Sequence, residues 1–456
     1  MAKIQPINRL KGFQDITPED TPYWDFVTDT LETGMLSAGF DRIETPILER
    51  ADLFDRGVGP DSDIVNKEMY SFDTAKMAGK DKKATKDGTI VSLRPELTAG
   101  VVRAYIEHGM QILPKPVALF TMGRCFRHEN PQAGRYREFT QFGAEIFGEI
   151  DPLIDALLIS NLWQTMNRLG IPNLVLNVNS LGSREDRPKI KKALTEYFKK
   201  KESKLCDDCK KRLKKNPLRI LDCKEDKCQT IVSSAPAIVD LMSDDCRTHF
   251  MTVLEHLDDM EIPYNLMPTL VRGLDYYSRT VFEFSTKDDH RRTASLGGGG
   301  RYDYLVEELG GPETPAIGFG VGVDRIVDFL KTNLIKIPKP KSRVSVYVVH
   351  LGEESKKLAL GAVMALRKLD ISTGVAIGRD TLKGQLKAAD KVGALYTVII
   401  GQREAMHNVA MIRDMRDGIQ ETVDISDLAE KLYHMVKLRT REEEDYGKKI
   451  KNKANQ

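Results

Sequence analysis

Apolar residues recur at helical spacing from Tyr23 through Val27 and Leu31 to Met35. The pattern predicts a helix that opens at Thr21-Pro22, a capping hydroxyl followed by a proline that fits the first turn, and that stops at Gly39. Residues 40–46 read as a short strand, with Pro46 suited to a sheet edge. Two aromatic-studded, strand-like runs flank a polar loop over 119–148. Residues 151–169 predict a helix whose apolar positions are Leu153, Leu157, Leu158 and Leu162, and 174–178 predict a strand. Polar, Lys-rich character then rises after Ser183 and lasts to about Asp259, the pattern of a helical insertion. Strand character returns at Tyr264, and 281–284 alternate. Residues 76–88 have no apolar period and read as a mobile loop tip. The clearest boundary is the Pro/Lys linker at 336–341. Beyond it strands (344–349, 374–377, 396–400) alternate with helices (354–369, 382–392), which predicts a small α/β domain with a mostly parallel sheet.

A chain of 456 residues exceeds one comfortable core, so two or three domains are expected. With 41% hydrophobic and 30% charged residues it has the composition of a soluble globular protein. No run approaches the roughly 18 apolar residues that span a bilayer. The first residues lack an apolar signal core, so a cytoplasmic location and no membrane partner are expected. A net charge of +2 does not announce a nucleic-acid binder, but its distribution is uneven. Between Lys189 and Lys215 eleven lysines and one arginine stand against four acids, a cluster suited to a solvated face or a phosphate backbone.

Six cysteines in such a chain argue against a disulfide framework. Four of them, Cys206, Cys209, Cys223 and Cys228, have spacing that would close a tetrahedral structural Zn2+ site; four reduced thiols in a polar module are the alternative. Cys125 and Cys246 fall outside that pattern and read as buried thiols.

The polar loop after Leu119 is rich in arginine: Arg124, Arg127, Arg135 and Arg137. Guanidinium forks grip phosphate oxygens at two points, so this hairpin suits a triphosphate. No G-x-x-x-x-G-K-[ST] is present, and the glycines of 318–322 lack the G-x-G-x-x-G spacing, which excludes a phosphate loop and a dinucleotide fold. An ATP user here must hold phosphates with arginines and Mg2+. In 93–100, Glu96 and Thr98 would point to one face of an extended stretch, two acceptors for an ammonium group. Two further segments stand out: 270–277, with Arg272, Tyr276 and Tyr277, and 318–325, glycine-rich turns opening a helix near Arg325.

Together these segments resemble the class II aminoacyl-tRNA synthetases, and within them the histidyl-tRNA synthetase family. The strand through Pro46 resembles the first class motif, which builds a dimer interface; 126–139 the second; 318–325 the third. The histidine-specific resemblance lies in 270–277 and in Gly298–Asp303. It implies an α+β fold: a catalytic domain with an antiparallel sheet and flanking helices (1–182 and 263–335), a helical insertion with the cysteines (183–262), a C-terminal α/β anticodon-binding domain (342–435) and a basic tail (436–456). The activity implied is histidine–tRNA ligation, with ATP, L-histidine and histidine tRNA as partners in a homodimer. Arg127 and Arg272 would flank the α-phosphate, with Glu129, Arg135 and Arg325 also at ATP. Glu96, Thr98 and Gln141 would meet the α-amino group, Arg127 and Arg272 the carboxylate side, and Glu145, Tyr276, Tyr277 and Tyr302 the imidazole. Lys383, Lys387 and Arg379 are candidates for tRNA contact. Tyr304 stands where the family usually has glycine, so the turn there is expected to be crowded or altered. Two rival readings are a non-catalytic regulatory subunit of histidine biosynthesis, which the intact arginine set disfavours, and a general basic RNA-binding protein.

Overall fold

A computed structural model describes residues 6–59, 62, 64–74, 89–131, 134–287, 295–338, 344–378 and 381–454, the last twelve by backbone alone. The loop tip expected at 76–88, Arg379 and residues 339–341 of the linker lie outside the described residues. The chain divides into two compact units, Met1–Ile337 and Pro338–Gln456.

The first unit begins with α1 (Thr21–Ser37), β1 (Asp41–Arg42), β2 (Leu48–Arg50), α2 (Ala51–Gly57), β3 (Ser71–Asp73), β4 (Ile90–Leu93) and α3 (Thr98–Glu107). The arginine hairpin follows as β5 (Val117–Phe126) and β6 (Glu138–Phe147), paired antiparallel along their length. Next come α4 (Pro152–Arg168), β7 (Leu174–Ser180), α5 (Arg187–Lys199), α6 (Asp207–Lys215), α7 (Asp226–Val232) and α8 (Asp244–Asp259). The unit closes with β8 (Tyr264–Leu266), β9 (Ser278–Thr286), β10 (Gly297–Arg301), β11 (Ala316–Gly322) and α9 (Val323–Thr332). Eight strands form one sheet in the order β1-β5-β6-β11-β10-β9-β7-β8, antiparallel except at its two edges. One face carries Phe142, Phe319, Phe282 and Phe284, which pack with α1, α4, α8 and α9 into the main core. The other face is the floor of a cleft.

Several local expectations are corrected. The α1 cap position is Asp20, not Thr21, whose hydroxyl donates instead to the Thr17 carbonyl. The strand at 40–46 shrinks to β1, because beyond Arg42 the chain leaves β5 to reach β2. In α4 Leu158 and Leu162 are buried, but Leu153 and Leu157 are exposed. The helix is turned so that Asp155, on the buried face, reaches Arg301. The glycines of 318–322 are not turns; they lie in a central strand, β11, paired with the glycine run 297–300 of β10. Tyr304 sits at φ −107° and ψ −10°, ordinary right-handed backbone, so no glycine is required there. Its hydroxyl accepts from the Arg184 N–H, and its ring underlies the Arg184 guanidinium.

The second unit is β12 (Val346–His350), α10 (Glu353–Lys368), β13 (Thr373–Val375), α11 (Leu382–Lys391), β14 (Tyr396–Ile400), β15 (Val409–Asp414), β16 (Gln420–Asp424) and α12 (Leu428–Ala454). Only β13, β12 and β14 are parallel; β15 and β16 extend the sheet antiparallel. No helix among the described residues is long and apolar enough to cross a membrane.

Arg301 is fully buried between the Asp155 and Asp303 carboxylates, at 2.7 and 3.2 Å, and it also donates to the carbonyls of Glu149 and Asp151. Asp155 in turn meets His249 at 3.1 Å. Burial opposes a charge on Asp155, yet Arg301 and His249 outweigh it and hold the carboxyl below its ordinary range. Truncating one partner of such a pair strands a buried charge. Asp155→Ala is therefore expected to lower unfolding free energy by roughly 3–5 kcal/mol in a urea melt. A loss under about 1 kcal/mol would show that the network adds little.

Candidate active site

The cleft exists because two strands under it, β10 and β11, carry glycine at Gly298, Gly318 and Gly320, positions that face it. Glu145 on β6 stands opposite Gly318 on β11, and its neighbour in the cleft, Gln141, lies over Gly320. A Cβ at Gly318 would lie 1.6 Å from Glu145 Oε2, and one at Gly320 would lie 2.1 Å from Gln141 Nε2. A Cβ at Gly298 on β10 would fall 2.9 Å from Arg272 Nη1. Even alanine therefore collides with the polar side chains that the sheet presents.

Arg127, Arg135, Arg272 and Arg325 line this cleft together with Glu129 and Gln141. Arg127 donates from Nε to the Pro95 carbonyl and stacks over Phe139, which leaves its terminal nitrogens 4.0 Å or more from the Glu129 carboxylate. Arg135 meets Glu129 at 3.3 Å, while its Nε is buried without a partner. Arg325, in the first turn of α9, is fixed by the carbonyls of Gly134 and Ser295. Burial, followed by the like charges of Arg135 and Arg127, pulls its proton affinity down. Arg272 donates to Glu283 at 3.0 Å, and its buried Nε has no partner. Crowded cations with unfilled donors form a site for an anion with several oxygens. The other two hairpin arginines do not reach the cleft. Arg124 lies over Trp24 beside Glu138, and Arg137 braces the Glu129 carbonyl.

Thr98, Tyr276 and Tyr277 also line the cleft. Tyr276 packs against Tyr277 at 4.6 Å and against Tyr302 at 5.5 Å between ring centres. Tyr302 and Glu145 lie beneath, fully buried. The Tyr302 hydroxyl and the Thr98 hydroxyl, at 2.8 Å, both donate to the Glu145 carboxylate. Burial nevertheless pushes the Glu145 carboxyl up to about 8. Glu96 departs from expectation. Residues 96–98 are not extended, and its carboxylate accepts the N–H groups of Thr98 at 2.7 Å and Ala99 at 2.8 Å at the start of α3. It caps the helix that aims Thr98, and it does not line the cleft.

Sequence reasoning overlooked Arg94 and Asp324. Arg94 spans the Thr45 and Arg124 carbonyls at 2.7 and 2.8 Å, and Asp324 accepts from Gln14 at 2.7 Å and from the Thr140 N–H at 2.5 Å. Each lay inside a segment already singled out, but nothing local marks a charge as buried.

Outside the cleft, the sulfurs of Cys206, Cys209, Cys223 and Cys228 lie within 4.8 Å of one another, with 3.8 Å between Cys206 and Cys223. Four sulfurs bound at about 2.3 Å in a tetrahedron stand about 3.8 Å apart, so the set fits Zn2+ with no open position. The N–H groups of Cys206 and Cys209 point at sulfurs of the cluster, at 3.2 and 3.4 Å. Cys125 is instead a buried thiol apart from that cluster; it donates to Gln141 Oε1 at 3.5 Å and is pushed up to about 12 by burial.

A family model described as histidyl-tRNA synthetase matches residues 12–326, and one described as anticodon binding domain matches residues 345–434. The chain belongs to the histidyl-tRNA synthetase family. A histidine–tRNA ligase of Dehalococcoides mccartyi is 43% identical over 418 residues, 92% of this chain and 97% of the relative. One from Desulforamulus reducens is 42% identical over 424 residues, 92% of this chain and 97% of the relative. The crystal structure of apo histidyl-tRNA synthetase from S. aureus matches with a TM-score of 0.76 at 33% identity, covering 94% of this chain and 100% of that one. These near-full-length matches carry the catalytic reading, a histidine–tRNA ligase, and the regulatory-subunit alternative gains nothing from them.

Two outcomes follow from the floor. Gly318→Ala should fold but lose histidine binding by about 100-fold or more in calorimetry, since the methyl displaces Glu145; unchanged affinity would refute the fit. The folded carboxyl of Glu145 holds a proton that the unfolded one, near 4.5, releases. Its contribution is thus present at low pH and lost as pH rises towards 8. Glu145→Gln should flatten stability between about pH 5 and 8 in urea melts, and an unaltered slope would contradict the burial effect.

Proposed function

We propose that the cleft joins L-histidine to the α-phosphate of ATP, expelling pyrophosphate, and that the histidyl group of the resulting adenylate is then transferred to the 3′-terminal hydroxyl of histidine tRNA, releasing AMP. The observation that carries this is the convergence, over a glycine floor, of Arg127, Arg272 and Arg325 with Gln141, Glu145 and the tyrosines.

A carboxylate is already ionised at neutral pH, so its attack on phosphorus needs alignment and charge neutralisation but no general base. Arg127 and Arg272 hold the α-phosphate from two sides and draw in the histidine carboxylate. Charge that develops on the phosphate oxygens in the transition state meets guanidinium donors already in place. Arg135 and Arg325 take the β- and γ-phosphates, with Glu129 fixing Arg135. Mg2+ carried with ATP would supply further neutralising charge to the β- and γ-phosphates beside Arg135 and Arg325. Gln141 and Thr98 receive the α-amino group, with Glu96 acting through the helix start. Glu145, held by Tyr302, and the hydroxyls of Tyr276 and Tyr277 supply a partner for each imidazole nitrogen, and an apolar side chain would leave them unpaired.

The remaining expectations are part of the same proposal. The second unit reads tRNA, with Lys383 and Lys387 on α11 as candidates. A homodimer would cover the exposed Ile47 and Leu48 beside the Pro46 segment. A cytoplasmic location goes with this reading. The four-thiol cluster takes a structural Zn2+ with no part in the chemistry.

Histidine-dependent exchange of labelled pyrophosphate into ATP tests the reading. Exchange with L-histidine and no other natural amino acid is expected. Arg272→Ala should lower kcat by about 10²-fold with smaller changes in KM. A variant altered only in KM would remove Arg272 from the transition state, and no exchange by folded protein would remove the activity.

A further inference from the structure

Arg272 lies on an irregular stretch between β8 and β9, so no ladder of backbone bonds positions it. The stretch is held from outside, and much of the hold comes from the segment between the two cysteine pairs. Arg219 donates from Nε and Nη2 to Asp275 Oδ1 at 3.3 and 3.1 Å, and from Nη2 to the Gly273 carbonyl at 3.0 Å. Asn216 donates to the same Asp275 oxygen at 3.2 Å. Arg187, from α5, donates to the Tyr277 carbonyl. These contacts bracket Arg272 on its C-terminal side, at 273, 275 and 277.

The segment that supplies Asn216 and Arg219 has little order of its own. It is a single 3-10 turn, Pro217–Ile220, between α6 and α7, helices of nine and seven residues. Helices that short are marginal without outside support. Cys206 and Cys209 lie on one side of the turn, Cys223 and Cys228 on the other, and their sulfurs meet within 4.8 Å of one another. Cys209, Leu218 and Ile220 belong to the same buried cluster as Leu270, Tyr276, Tyr277 and Tyr302. The thiol module and the wall of the proposed histidine pocket therefore share one core.

We propose that a Zn2+ bound by Cys206, Cys209, Cys223 and Cys228 fixes the Asn216–Ile220 turn, and that Arg219 is thereby a positioning residue for Arg272. The metal is remote from the reacting atoms and acts on the rate through the geometry of one arginine. This rests on the reading of Arg272 as an α-phosphate ligand, which its own alanine variant tests separately. A small displacement of an aligned group lowers the rate with little effect on affinity for the rest of the substrate.

The test uses the full-length protein purified without chelator. Elemental analysis should find about one zinc per chain, lost in a Cys209→Ser/Cys223→Ser variant, and Co2+ loaded in its place should show the absorption of a tetrahedral thiolate site. Removing the metal should lower kcat for histidine-dependent pyrophosphate exchange by on the order of tenfold to a hundredfold, with KM for ATP nearly unchanged. Amide hydrogen exchange should rise in residues 267–277, and Zn2+ or Cd2+ should restore both. Arg219→Ala should reproduce the fall in kcat with zinc still bound, and Arg219→Lys should recover part of it. Metal-free protein with residues 206–228 protected from exchange would overturn the site. Zinc-loaded Arg219→Ala with unaltered kcat and unaltered exchange at 267–277 would overturn the coupling. If Arg272→Ala itself keeps full kcat while zinc content and exchange behave as expected, the failure lies with the role of Arg272.

Discussion

A sheet face can be polar and concave only where its strands give up their side chains. β10 and β11 do so at Gly298, Gly318 and Gly320, and the space is filled by Arg272, Glu145 and Gln141 reaching in from neighbouring elements. The opposite face of the same strands is crowded with phenylalanines on the main core. That asymmetry makes the sheet rigid beneath and accommodating above, which is what a site that must align three groups requires. Buried charge stiffens the same region. Arg301, held by Asp155 and Asp303, fixes the end of β10 and so the Tyr302 that follows it.

The cations of the cleft complete the picture. A phosphate loop holds a nucleotide with backbone N–H groups, whereas here side-chain guanidiniums crowd one another. Burial and the repulsion of Arg135 and Arg127 fall on Arg325, and Arg135 and Arg272 each keep a buried nitrogen unpaired. A polyphosphate relieves both conditions, so binding and electrostatic relief are one event.

Much of this was legible in the chain. The 3.6-residue period drew α1, and β14 fell on its expected residues, since both depend on nearby apolar spacing. Arg127, Arg135, Arg272 and Arg325 were found because each stands in a short segment of distinctive composition, and all four line the cleft. The misses share a cause. Glycine is rare in strands, so 318–322 read as turns until the partners that need their space are known. Residues 96–98 read as extended because where α3 begins, and so the Glu96 contact with its first N–H groups, has no local mark. Asp155, Arg301 and His249 are far apart in sequence, and a charged residue carries no local mark of burial. Leu153 and Leu157 looked like core for the converse reason: only the Asp155 contact shows which way α4 faces.

The most direct measurement is a crystal structure with a non-hydrolysable histidyl-adenylate analogue bound. The phosphate mimic should lie between the guanidiniums of Arg127 and Arg272, with the imidazole within hydrogen-bond distance of Glu145 over the Gly318–Gly320 floor. An analogue bound elsewhere, or one whose phosphate mimic leaves Arg272 paired with Glu283 and out of reach, would contradict this arrangement.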